Sequence, residues 1–177
     1  MAATEDVTEG RLLLAEYDSI KEEQKTRIGF RDNLLYFTLA AATAVLAVAA
    51  QTRQAQLLLA VPVICLILGW TYLVNDEKIS AVGRYIHDRL GPRLAELSGA
   101  RGAVFGWEEY HRSDTSRATR KRLQTAVDLF TYLALPTTCV IAFWCSRAVQ
   151  PLLLIVSIVQ MLTLAVLGWQ FLRYAEG

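Results

Sequence analysis

Four stretches of this chain carry no charged residue: Leu34 to Ala50, Leu57 to Val74, Leu129 to Cys145 and Leu152 to Phe171. Each is close to the ~20 residues an α-helix needs to cross a hydrocarbon core of about 30 Å. A soluble bundle built from such helices would have no polar face to turn to water, so burial within a soluble protein is a poor solution. The composition agrees, since 54% of the residues are hydrophobic and the mean hydropathy is +0.30, high for a soluble chain of 177 residues. The expected fold class is therefore all-α: a polytopic membrane protein of four transmembrane helices with long cytoplasmic helical extensions. One membrane domain, residues 1–177, is expected, with the cytoplasmic helical part drawn from residues 8–33 and 75–128.

The charges outside the apolar stretches set an orientation. Lys and Arg number five before the first stretch, one in the first short loop, ten between the second and third stretches, one in the third loop and one after the fourth. Sixteen thus fall on one side and two on the other, so both termini and the 54-residue segment 75–128 are expected in the cytoplasm of a multi-pass cell-membrane protein. The acidic start, Met1 to Asp6, has neither a basic region nor an apolar core of the kind that makes a cleavable signal, and the first span is expected to be retained. Cys65, Cys139 and Cys145 sit in or beside apolar stretches without CxxC spacing and read as small hydrophobes.

Before the first stretch, Leu13, Tyr17, Ile20, Gln24, Ile28 and Arg31 recur at helical spacing with no breaker before Leu34, predicting one helix over about 8–50. Ile79, Val82, Ile86 and Leu90 extend the second stretch in the same way, so a helix over 57–90, roughly 50 Å long, is expected to stop at Gly91-Pro92. Pro62 and Pro136 are expected to kink their helices. Residues 91–106 hold four of the ten glycines and are the loop candidate, with Phe105, Trp107 and Tyr110 expected to pack on the projecting helices. Ser113, Asp114 or Ser116 can cap a third helix running to Cys145.

An internal repeat can be drawn. Asp32 before Leu34, Leu35 and Tyr36 is similar to Asp128 before Leu129, Phe130 and Tyr132, and Leu68-Gly69-Trp70 is similar to Leu167-Gly168-Trp169. Such halves would be parallel repeats about an axis along the membrane normal, although apolar helices also resemble one another by composition alone.

The apolar stretches hold no ionisable residue of the sort that coupled transporters place at membrane depth. Neither a nucleophile–base pair, a phosphate loop nor a metal-ligand cluster is legible, so no enzyme, cofactor or metal is expected. A net charge of +1 with an acidic N-terminal arm argues against nucleic acid as a partner. What remains is at the inner ends of the spans, where Asp32, Asp76 and Asp128 recur beside Glu77, Arg27, Arg31 and Lys78. In a homo-oligomer such acids would ring a cation pore mouth, with Thr43 in the wall, while in a single chain they would simply pair with the neighbouring bases. Ala40, Thr43, Ala47 and Ala50 form a small-residue face that lets other helices approach the first span, making it the expected central helix. The fourth span is bulky and expected to face lipid except at Gln160. Arg117, Arg120, Lys121 and Arg122 form a basic cluster suited to anionic lipid headgroups in the bilayer.

In architecture, a short polytopic chain with projecting cytoplasmic helices resembles the small transmembrane effectors of bacterial nucleotide-signalling defence systems, such as the SLATT-type proteins. Those usually have two spans where four are counted here, and no motif matches residue for residue. The resemblance implies membrane-disrupting or pore-forming activity. The expected function is an oligomeric, non-enzymatic pore or channel for cations, with a membrane scaffold or regulatory subunit that binds a cytoplasmic protein partner as the alternative.

Overall fold

The computed structural model describes residues 8–99, 104–105, 117–146 and 150–176, with the side chains of 117, 118, 175 and 176 left aside. Every described element is helical. Helix α1 runs over Glu9–Thr52, a single 3-10 turn over Ala55–Leu59 leads into α2 (Ala60–Tyr85), and a π-turn over Ile86–Leu90 leads into α3 (Gly91–Ser98). After the next gap come α4 (Arg117–Leu129), a second π-turn (Phe130–Ala134), α5 (Leu135–Trp144) and α6 (Pro151–Glu176). Four helical stretches, Glu9–Thr52, Ala55–Ser98, Thr119–Trp144 and Pro151–Tyr174, are long and apolar enough to cross a membrane.

The helix through the second stretch passes Asn75 to Lys78 unbroken, as its spacing predicts. It does not stop at Gly91-Pro92. Proline lacks an N–H and its ring clashes with the carbonyl four residues back. The preceding turn widens instead, so that the Gly91 N–H reaches the Ile86 carbonyl and the helix continues past the proline. A Cβ on residue 91 would stand 3.1 Å from that carbonyl oxygen, which is why glycine fits there. The true stop is Gly99, whose φ of 67° is the left-handed conformation that glycine adopts without steric cost. The segment read as a loop from residue 91 is therefore helical to Ser98. Pro136 is handled in the same way, with the Leu135 N–H bonded to the Phe130 carbonyl. At Pro62 the helix changes type rather than kinking within a continuous α-helix: the 3-10 turn ends at Leu59 and Pro62 falls in the first turn of α2, where its missing N–H is least needed.

The chain divides into two compact units. The first comprises residues 1–29 and 76–117. Its core is Ile86, Leu90 and Leu94, packed against Leu13, Tyr17, Ile20, Val82 and Phe105. Tyr17 stacks on Phe105 with centroids 4.4 Å apart and planes 8° from parallel. Three polar ties run alongside. Arg93 Nη2 donates to Glu9 Oε1 at 2.6 Å, Tyr85 Oη to Glu16 Oε1 at 2.7 Å, and Gln24 Nε2 to the Ile79 carbonyl at 3.1 Å. The paired numbers sum to 102, 101 and 103, so the two strands of helix run antiparallel with one register kept over four turns. Trp107, Tyr110 and the expected caps Ser113, Asp114 and Ser116 lie outside the described residues.

The second unit comprises residues 30–75 and 118–177. Its largest core cluster is aromatic. Tyr72, Tyr132 and Phe171 pack with centroids 5.1 to 6.2 Å apart, together with Leu34, Leu73 and Leu167. A second layer joins Ala42, Val61, Cys65 and Cys139, and a third joins Leu59, Val140 and Phe143. The glycines of the two Leu-Gly-Trp triplets are both close approaches, and both meet the π-turn of the third span. A Cβ on Gly69 would stand 2.8 Å from Tyr132 Cδ1, and one on Gly168 would stand 2.9 Å from Leu133 Cδ2. The triplet tryptophans, Trp70 and Trp169, both point outward and are about half exposed.

Candidate functional site

Among the described residues of the second unit, six polar side chains are buried: Thr38, Asn75, Asp128, Thr131, Ser157 and Gln160. Most are satisfied by helix backbone, as hydroxyls and amides far from water must be. Thr38 donates to the Leu34 carbonyl at 2.7 Å and Asn75 to the Thr71 carbonyl at 2.9 Å. Two tie helices together. Trp144 Nε1 donates to Ser157 Oγ at 2.8 Å, and Gln160 Nε2 donates to the Leu59 carbonyl at 2.9 Å, joining α6 to the 3-10 turn. Gln160 is thus the inward exception on an otherwise outward-facing fourth span, where Leu152, Ile155, Val159, Leu162 and Val166 are all exposed.

Asp128 is the carboxylate at the buried end of this unit, 7% exposed. Gln124, one turn earlier on α4, donates from Nε2 to Asp128 Oδ1 and to Tyr72 Oη, each at 2.9 Å. The two amide hydrogens serve both acceptors and clamp α4 to α2 beside the aromatic cluster. Gln124 and Tyr72 are not singled out by the sequence. The i,i+4 spacing of Gln124 and Asp128 was a usable signal, but only the fold brings Tyr72 to them.

The other acids fall elsewhere. Asp32 is exposed on α1 in the second unit and accepts from Arg31 Nη2 at 3.1 Å and Nε at 3.2 Å. Asp76 belongs to the first unit, half-buried on α2. Thr43 is exposed and turns its hydroxyl to its own helix, donating to the Leu39 carbonyl at 2.7 Å. Of the basic cluster, Arg120, Lys121 and Arg122 are exposed, and the side chain of Arg117 lies outside the described residues.

The small-residue face of α1 is not central in the chain. Ala40, Thr43, Ala47 and Ala50 are all exposed, and the buried face is Leu34, Thr38, Ala42 and Ala49. The apolar window of α1 is 22% buried, against 39% for the second and third spans. The physical reason is the offset between the two faces: helices that pack on Leu34, Thr38 and Ala42 leave the neighbouring stripe open. Among the described residues no group of His, Cys, Asp and Glu could hold a metal ion. No protein-family profile, curated protein or solved structure matches the chain.

Proposed function

We propose that the four apolar helices cross a cell membrane with both termini and the first unit on the cytoplasmic side, and that copies of the chain assemble through α1 into a cation-conducting pore. The observation that carries this is the exposure of Ala40, Thr43, Ala47 and Ala50 on the least buried of the four spans. Small residues let helix backbones approach closely, which is what drives association where lipid removes any hydrophobic gain. A path within one protomer is disfavoured, because Tyr72, Tyr132 and Phe171 pack together across the Asp128 end of the bundle. Asp32 stands exposed at the same end of α1 as the basic and acidic flank, where a ring of such acids would attract cations. Its pairing with Arg31 tempers that field.

Orientation is tested by cysteines placed singly at 51–56 and at 78 in a background free of Cys65, Cys139 and Cys145; an impermeant thiol reagent on intact cells should label the first group only. Single-channel recording of purified protein in planar bilayers tests conduction. Asp32→Asn should lower cation selectivity and Thr43→Leu should narrow or dewet the path. Unchanged currents in both variants remove α1 from the pore.

The second reading, a membrane-anchored scaffold for a cytoplasmic protein, is favoured by Leu12, Leu14 and Leu97, which the first unit leaves about half exposed. Protein that stays silent in bilayers under every trigger tried, yet remains oligomeric or partner-bound, fits that reading instead.

A further inference from the structure

At the end of the second unit farthest along α1 from Asp32, the last turns of α1 and the 3-10 turn enclose an open groove of about 460 Å³, lined by Leu46, Ala49, Ala50, Arg53, Ala55 and Leu58. Three alanines make the concavity, since each lacks the side chain that would fill it. Arg53 is the one charge in the lining. Its φ of 55° places an arginine where the turn's backbone suits glycine or asparagine better. Among the described residues it makes neither a hydrogen bond nor an ion pair, and its side chain is exposed. Between Asn33 and Asn75 it is the sole charged residue, and between Leu129 and Ala175 the sequence again contains no acid. Nothing at that end of the bundle can neutralise it.

We propose that this groove holds one anionic phospholipid, with its phosphate on Arg53 and an acyl chain along Leu46, Ala49 and Leu58. The chemistry selects this occupant. A guanidinium pairs a phosphate through two parallel N–H bonds, and the apolar walls suit a methylene chain but offer it no polar partner. A second copy meeting α1 along the stripe from Ala40 to Ala50 would bring no acid to Arg53, so the guanidinium stays open to a phosphate in the assembly as well. The site pairs one cation with a groove, whereas the basic cluster of α4 sets Arg120, Lys121 and Arg122 along an exposed face. This inference rests on the membrane-spanning reading above.

The test uses native mass spectrometry of the full chain, released from detergent after incubation with phosphatidylglycerol or phosphatidylcholine. Wild type should retain phosphatidylglycerol over phosphatidylcholine by about fivefold, the effect of one basic residue at an anionic surface. Arg53→Gln should lose that preference, Arg53→Lys should keep most of it, and Ala55→Trp should lower retention of both lipids by filling the groove. Equal retention of phosphatidylglycerol by wild type and Arg53→Gln overturns the proposal, as does a wild type indifferent to headgroup. Carbonate extraction of the source membranes separates the two possible failures. Release of the chain by carbonate overturns the spanning reading, whereas a chain that stays embedded with unmoved lipid counts overturns the groove alone.

Discussion

Gly69→Ala adds one methyl group at the tightest approach in the second unit. The new Cβ would stand 2.8 Å from Tyr132 Cδ1 and 3.1 Å from both Tyr132 Cγ and Leu167 Cδ2, closer than carbon atoms pack. The ring cannot simply retreat. Tyr132 is fully buried and held between Tyr72 and Phe171, so either the helices part or three rings move together. Overpacking of this kind costs about 1–3 kcal/mol. Alanine in a helix recovers about 1 kcal/mol of the backbone entropy that glycine loses, leaving a net loss of roughly 0–2 kcal/mol. Gly168→Ala supplies the control. Its Cβ would meet the tips of Leu133, a partly exposed and flexible side chain that can change rotamer for about 0.5–1.5 kcal/mol, so the net effect is near zero. Gly29→Ala meets nothing within 4 Å and should stabilise by up to about 1 kcal/mol. Denaturant unfolding in mixed micelles orders the three, followed by near-ultraviolet circular dichroism of the aromatic cluster for the two second-unit variants and by far-ultraviolet circular dichroism for Gly29→Ala, which lies in the first unit. Gly69→Ala no worse than Gly168→Ala would show that the Tyr132 ring is free to move and that the close packing of the triplet glycine is no constraint.

Gln160→Leu removes the bond to the Leu59 carbonyl and should cost about 1 kcal/mol in the same unfolding assay, the usual scale for interhelical hydrogen bonds in lipid; no change would mean the 3-10 turn finds another donor. In the first unit, Tyr85 donates to Glu16, and that bond, with a smaller contribution from the carboxylate's charge, raises the phenol above its ordinary value of 10.0. The tie is therefore complete below pH 10 and is lost as the pH rises through the raised value. The tyrosinate absorbance step removed by Tyr85→Phe should move to lower pH in Glu16→Gln, and an unmoved step would separate the two groups in solution. Val82→Pro should break the antiparallel pair at a cost of roughly 3 kcal/mol or more, seen as lost helical circular dichroism and faster proteolysis within residues 76–98, while leaving the unfolding of the second unit in place. Arg93→Gln, by contrast, removes an ion pair exposed on both sides and should leave the unfolding midpoint unchanged.

Periodicity and charge alone determined much of this protein. The four uncharged stretches, the helix through Asn75 to Lys78 and the stripe Leu13, Tyr17, Ile20 follow from local spacing, and a helix of that length needs no distant partner to form its backbone bonds. Gln160 was legible for the same reason, because an amide among aliphatic side chains must find a carbonyl. Tertiary structure decided the rest. Gly91-Pro92 reads as a stop, and whether a helix ends or widens by one residue depends on whether the turn beyond it has a core to join, here Leu94 against Ile86 and Leu90. Asp32 and Asp128 look equivalent in the sequence, each just ahead of an apolar stretch. One is exposed beside Arg31 and the other is buried under Gln124 and Tyr72, because burial depends on which neighbouring helix covers a face, and spacing along one chain carries no record of that. The same holds for the alanine stripe of α1. Small residues permit close approach, but only packing selected Ala42 and Ala49 for the inside and left Ala40, Thr43, Ala47 and Ala50 turned outward.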